Sequence, residues 1–282
     1  VIADIVNTRR YPLAAPQSLA WRNIVASARA QLLDQGCCVL RSFIDESAHQ
    51  LMRNESLQIA PFAYYDVESV NVYNTDADPS LADGHPARIS LRRENAFVAR
   101  DCIPGRFIIQ RLYCNERFRR FVAACFGLPR IYPLADPLAG LVLNVVRPGM
   151  QHPWHFDTNE FSVSLLTREA DQGGVFEYCP DIRSPKHENF AAVGAVLQGR
   201  GEHRIRRLAL RAGDLQLFKG RFSIHRVTPV AGSEARHTAI FAFSARPGVI
   251  GSVSRTRQLF GRVSVEHLEA EGRAVRGDLL LD

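Results

Sequence analysis

No stretch of the chain approaches an uninterrupted apolar run long enough to cross a bilayer, which argues against a membrane-spanning helix. The N-terminal VIADIVNTRRYPLAAP lacks the ordered charge, apolar stretch and cleavage site of a signal peptide, so the expected location is the cytoplasm. There is no C-x-x-C pair. The six cysteines (Cys37, Cys38, Cys102, Cys114, Cys125 and Cys179) are scattered, and the adjacent Cys37 and Cys38 sit in the apolar stretch GCCVLRSF, so buried, reduced thiols are expected. The formal net charge is +6, yet no basic run gathers it. Because the arginines are spread over the whole chain, the basic balance gives little support to a nucleic-acid surface. Internal repeats and low-complexity linkers are also missing.

What is present is an ordinary globular composition, 46% hydrophobic and 23% charged over 282 residues, enough for a sizeable core. The expectation is a single domain over 1–282, with a helical N-terminal part to about 135, a β core over about 138–250 and a C-terminal tail over 251–282. In residues 18–34, Leu19, Ile24, Val25, Ala28, Leu32 and Leu33 form a helical stripe with Ser18 as its cap. GCCVLRSFI reads as a strand entering the core, 45–60 as a second helix, 71–90 as a polar loop and 117–127 as a helix ending on Gly127. From about 138 the texture changes. GLVLNVVRPG, WHFDTNEFSVSLLT, GGVFEYCP, HRIRRLALRAGDLQLFKG, SIHRVTPVAG and RHTAIFAFSAR are short β-rich runs separated by Gly, Pro and Asp. That rhythm predicts a mainly β fold with flanking helices, a barrel or jelly roll.

The chemistry concentrates in HPWHFDTNEFSVSLL, residues 152–166. Read as a strand, it places His155 and Asp157 on one face and Trp154 and Phe156 on the other. An isolated H-x-D is common, but a third candidate, His225, follows the turn at Gly213 and Asp214. Two histidines and one carboxylate on one face of a metal leave the opposite positions open, which suits non-haem Fe(II) and O2 chemistry. Further on, Arg236 and Thr238 share a face by the same two-residue period. A guanidinium with a neighbouring hydroxyl can hold a carboxylate, as the distal end of 2-oxoglutarate requires. His187, His203, His237 and His267 show no partner pattern and receive no role.

The order H-x-D, then AGDLQLFKGRFSIHRVTPV, then R-x-T resembles the Fe(II)/2-oxoglutarate-dependent oxygenases over roughly residues 140–246. The resemblance implies a double-stranded β-helix (jelly roll, cupin-like) in which His155, Asp157 and His225 bind iron. It also implies that Arg236 and Thr238 hold 2-oxoglutarate and that Asn144 adds a polar contact to it. HFDTNEFSVSLL, GGVFEYCPDIRS and ENFAAVGAVLQG are similar to the branch containing the free-amino-acid (lysine-type) halogenases and their hydroxylase relatives. In those halogenases Gly or Ala replaces the metal-binding carboxylate and frees a position for chloride. Asp157 is present here, so the resemblance implies hydroxylation. It further implies that an arginine upstream of the barrel holds the substrate carboxylate, with Arg92 the best match and Arg93 its rival, and that His152 lines the substrate pocket. Thr158 stands where the lysine-acting relatives use an acidic residue, which counts against free lysine. The expected activity is hydroxylation of an unactivated C–H bond in a small carboxylate, an amino acid or a derivative of one, with 2-oxoglutarate converted to succinate and CO2. Desaturation or cyclisation with the same cofactors, oxidation of a nucleic acid or peptide, and a non-catalytic binding barrel are the alternatives.

Overall fold

Ser18 opens the first long helix as expected. From extended backbone its hydroxyl accepts a hydrogen bond from the Trp21 N–H at 3.2 Å, and Leu19–Gln35 runs on until Gly36 turns left-handed at φ 64°. The computed structural model describes residues 2–94, 96–273, 278 and 280–281. The buried stripe of this helix is narrower than its sequence suggests: Val25, Ala28 and Leu32 reach the core, while the marginal Leu19 and Leu33 are 66% and 80% exposed. The other expected helices are Glu46–Ile59, capped by the Asp45 side chain, and Glu116–Cys125, after which Gly127 takes φ 74°.

Two antiparallel sheets form the β core. The larger has seven strands in the order Cys37–Leu40, Leu215–Phe218, Ser162–Arg168, Arg236–Phe241, Leu141–Val146, Ala96–Val98 and Tyr64–Tyr65. The smaller has four, Arg206–Leu208, Phe176–Cys179, Ile224–Val227 and His152–His155. Strand alternation divides the residues of the large sheet between two environments. Leu141, Leu143, Val145, Val163, Leu165, Leu215, Leu217, Ala239 and Phe241 face the helices and build the main core. Their alternates Val142, Asn144, Ser162, Ser164, Gln216, Thr238 and Ile240 face a cavity between the sheets. The smaller sheet lines the opposite wall of that cavity with His152, His155, Phe176, His225 and Val227. Its outer face carries Trp154, Cys179 and Ile224, packed with Phe156, Val193 and Val196 under the helix Phe190–Leu197. This is the expected jelly roll: two sheets face each other with a ligand-sized space between them.

Two boundaries shift. The N-terminal part is more than helical: besides the expected strand Cys37–Leu40, Tyr64–Tyr65 and Ala96–Val98 extend the large sheet. The C-terminal segment is not a plain tail: it contains the helices Val253–Phe260 and Val265–Ala270, and Phe260 is buried against Phe97, Leu138 and Val142. The thiols are free, and Cys37, Cys38, Cys125 and Cys179 are buried. Burial pushes the Cys37 thiol up to about 12, so it stays protonated and inert. Among the described residues no helix is long and apolar enough to cross a membrane.

Candidate active site

The strand bearing the first histidine ends at His155, and Asp157 follows two residues later, outside regular pairing. Phe156 between them turns outward into the second apolar cluster, where it stacks on Tyr73 at 5.8 Å with the Arg183 guanidinium 3.8 Å from its ring centre. His225 lies directly across the antiparallel pair from His155. The Oδ1 atom of Asp157 is 3.7 Å from His155 Nε2 and 3.4 Å from His225 Nε2, and one ligand atom from each residue fits within a 4.8 Å span. His155 Nδ1 is 2.8 Å from the Pro153 carbonyl and His225 Nδ1 is 3.0 Å from that of Ser223. A carbonyl only accepts, so each Nδ1 donates and each Nε2 keeps its lone pair for a metal. Burial, with His152 and His225 alongside, pulls His155 well below the ordinary imidazole value, which keeps it neutral. Burial works against the charge of Asp157, but His225, His155 and a hydrogen bond from the Ser162 hydroxyl outweigh it and hold the carboxyl below the usual range. Two imidazoles and one carboxylate, with their ligand atoms converging, fit a divalent iron.

Gly220 completes this end. Its carbonyl accepts from the Asp157 N–H at 3.1 Å, and a Cβ placed on it would stand 1.8 Å from Asp157 Oδ2. Only a residue without a side chain leaves the carboxylate where it is.

Asn144, Arg236 and Thr238 all line the same cavity, whose volume is about 1320 Å³. Thr238 pairs with Asn144 in the register of the large sheet, and Arg236 Nη1 donates to the Thr238 hydroxyl. Arg236 is 5% exposed, and burial alone pulls its pKa down to about 10; no carboxylate among the described residues offsets it. A buried guanidinium without a counter-ion is costly unless a ligand supplies one. The dicarboxylate 2-oxoglutarate fits that requirement.

The substrate-side residues do not all converge. Arg92 and Arg93 are neighbours in the strand Leu91–Arg93, so they point to opposite faces. Arg92 faces outward, its side chain 64% exposed and bonded to Glu94 at 2.7 Å, and it is not brought to the cavity. Arg93 is the one that turns inward, 4% exposed and ion-paired with Glu68 across the hairpin. His152 is buried and stacks on His155 with ring centres 3.8 Å apart, and its Nε2 has no partner among the described residues. Thr158 is half-buried at the cavity wall. Glu177 points away from the site: it lies 2.7 Å from Arg207 and 2.6 Å from Arg226. Sequence reasoning missed Ser162, Gly220 and Arg255. Ser162 could have been found, since it is the inward alternate of the strand that follows the ligands; the other two depend on chain segments far apart in sequence.

The comparisons with known proteins bear on the family and the fold. The family model described as Halogenase D (HalD) matches residues 20–258. Solved structures of similar fold include the non-heme α-ketoglutarate-dependent carbocyclase SnoK from nogalamycin biosynthesis, 14% identical, TM-score 0.54, covering 84% of this chain and 92% of that one. The epimerase SnoN in complex with Fe3+, α-ketoglutarate and nogalamycin RO is 14% identical with a TM-score of 0.52, over 78% of this chain and 83% of its own. A prolyl hydroxylase from Trichoplax adhaerens is 14% identical with a TM-score of 0.50, over 80% and 93%. No curated protein matches the sequence. The chain therefore has the fold of the Fe(II)/2-oxoglutarate oxygenases and belongs to the Halogenase D family.

Proposed function

We propose that this protein hydroxylates an unactivated C–H bond of a small carboxylate, an amino acid or a metabolite derived from one. The observation that carries the reading is Asp157, a carboxylate placed beside both histidine Nε2 atoms where the resembled halogenases have Gly or Ala. His155, Asp157 and His225 would hold Fe(II), while Arg236 and Thr238 would anchor 2-oxoglutarate, with Asn144 beside them. Bound iron supplies the oxidation, in which O2 and 2-oxoglutarate give succinate and CO2 and one oxygen atom passes to the substrate.

The chain's own part is placement. The Pro153 and Ser223 carbonyls fix both imidazole tautomers. The Ser162 hydroxyl ties off Asp157 Oδ2 and leaves Oδ1 towards the histidines. Phe218, 4.9 Å from the His225 ring centre, and Phe176, at 5.5 Å, shield this end from water. Arg93 takes the substrate-carboxylate role expected of an upstream arginine, and the Nε2 of His152, unpartnered among the described residues, offers a polar contact. The cavity exceeds the roughly 300–1,000 Å³ usual for a ligand pocket, as a space that holds 2-oxoglutarate together with a substrate requires.

The test is product analysis with Fe(II), 2-oxoglutarate, O2 and chloride all present, over amino acids and their larger derivatives. Succinate formed with a product carrying one added oxygen is expected. A chlorinated product would overturn the reading and make the family's name literal for this chain.

A further inference from the structure

Arg183 and Arg221 are 2% and 1% exposed, and neither carries a role in the chemistry above. Arg183 follows the strand Phe176–Cys179, and Arg221 lies in the turn between Leu215–Phe218 and Ile224–Val227. Arg183 holds that turn twice: its Nε donates to the Arg221 carbonyl at 2.6 Å and its backbone N–H to that of Phe222 at 3.1 Å. Both guanidiniums then reach the same distant stretch. Arg221 grips the Asp278 carboxylate in two-pronged fashion, Nε on Oδ2 at 2.6 Å and Nη2 on Oδ1, while Arg183 Nη1 donates to the Leu281 carbonyl at 3.1 Å. Glu188, 3.0 Å from Arg183, accepts from the Leu281 N–H at 2.5 Å, and Leu280 is buried. A buried ion pair is better suited to fixing a position than to adding stability over apolar packing. What lies within reach to be fixed is the metal carboxylate. Arg221 adjoins Gly220, whose carbonyl accepts the Asp157 N–H and whose missing Cβ makes room for Asp157 Oδ2. The Arg183 guanidinium sits on the ring of Phe156, the residue between His155 and Asp157.

We propose that Asp278, Leu280 and Leu281 form a strap that holds Asp157 in its ligating position, with Arg221 and Arg183 as the positioning residues between them. The proposal rests on the oxygenase reading for what Asp157 ligates. One route runs from Asp278 through Arg221 and Gly220, the other from Leu281 through Arg183 and Phe156, and both end on the backbone of Asp157. Loss of the strap releases the turn at Gly220, and the carboxylate loses the surface it rests on. Arg221 and Asp278 also line the cavity beside Thr158 and Asn159, so the same contacts close that side of it.

The test is calorimetric titration of the full chain with Mn(II), a readout that needs neither O2 nor substrate, with thermal unfolding measured alongside. Asp278→Ala and Arg221→Gln are each expected to weaken Mn(II) binding about 10–100-fold, the scale of a disturbed supporting shell. The double variant should be no weaker than the weaker single one, because both changes break the same route. Arg221→Lys keeps the charge but not the two-pronged grip and should fall between wild type and Arg221→Gln. Should Asp278→Ala fail to fold, Asp278→Asn, which keeps the shape and loses the charge, takes its place. Folded variants that melt earlier yet bind Mn(II) as wild type does would make the strap a fastening only and overturn the proposal, as would losses that add in the double variant. Wild-type protein that binds no Mn(II) would sink the oxygenase reading and the strap with it, whereas equal binding by wild type and variants sinks the strap alone.

Discussion

The two ends of the cavity are built on opposite terms. At the ligand end the ring nitrogens and carboxylate are fixed in advance: two backbone carbonyls set the histidines, and Ser162 and Gly220 set Asp157. At the other end the guanidinium of Arg236 stands buried, with no carboxylate among the described residues to offset it. The difference separates groups whose positions must not change from groups whose partner arrives with the ligand. A pre-set end suits a metal, which tolerates little error in donor placement, and an under-satisfied end suits organic anions.

Removing a donor from the pre-set end has the largest effect. Asp157→Ala should abolish hydroxylation with the fold intact, as judged by circular dichroism and product assay; retained hydroxylation would show that the carboxylate is no ligand. At the under-satisfied end, Arg236→Gln should raise the half-saturating 2-oxoglutarate concentration by about a hundredfold, the loss of roughly two charge-assisted contacts. Fe(II) affinity should change little, and the two titrations measured side by side check the separation. Gly220→Ala tests the pre-set end without touching a donor. Its Cβ must displace Asp157, so metal affinity should fall by about 10–100-fold in calorimetry with a non-oxidisable divalent ion, the scale of a disturbed supporting shell. Ser162→Ala should sit at the lower end of that range, about tenfold, because it removes one hydrogen bond and adds no clash. The smallest effect belongs to the outer face of the smaller sheet. Glu177→Gln should cost about 1 kcal/mol of stability in urea unfolding and leave metal affinity unchanged, since its arginine partners lie away from the cavity.

The pre-set end was also the legible one. His155 and His225 belong to strands, where a two-residue period fixes the facing side, and the same period identified Arg236 and Thr238 and sent Trp154 and Phe156 outward. Asp157 was assigned to that face although the strand ends before it. Its position comes from the Gly220 carbonyl and the Ser162 hydroxyl, contacts between distant segments that no local pattern encodes. The substrate end was harder to read. In the pair Arg92 and Arg93, periodicity says only that one faces in; which one depends on the register of the hairpin and on Glu68, 25 residues away. Arg255 lay in a segment read as a tail, because a short helix with few apolar residues carries little signal until Thr256 and Phe260 are seen to be buried. The jelly roll could be inferred from its many short strands, and Cys37–Leu40 from its apolar run, whereas the short strands Tyr64–Tyr65 and Ala96–Val98 owe their places to pairing rather than to pattern.

The central claim is that the two ends act together as one iron and 2-oxoglutarate site. It is tested most directly by anaerobic titration of the full chain with Fe(II) and 2-oxoglutarate, followed by visible absorption. A metal-to-ligand charge-transfer band should appear only when both are present and should be lost in Asp157→Ala. Folded wild-type protein that binds both components without the band, or that gives it equally well after Asp157→Ala, would contradict the account.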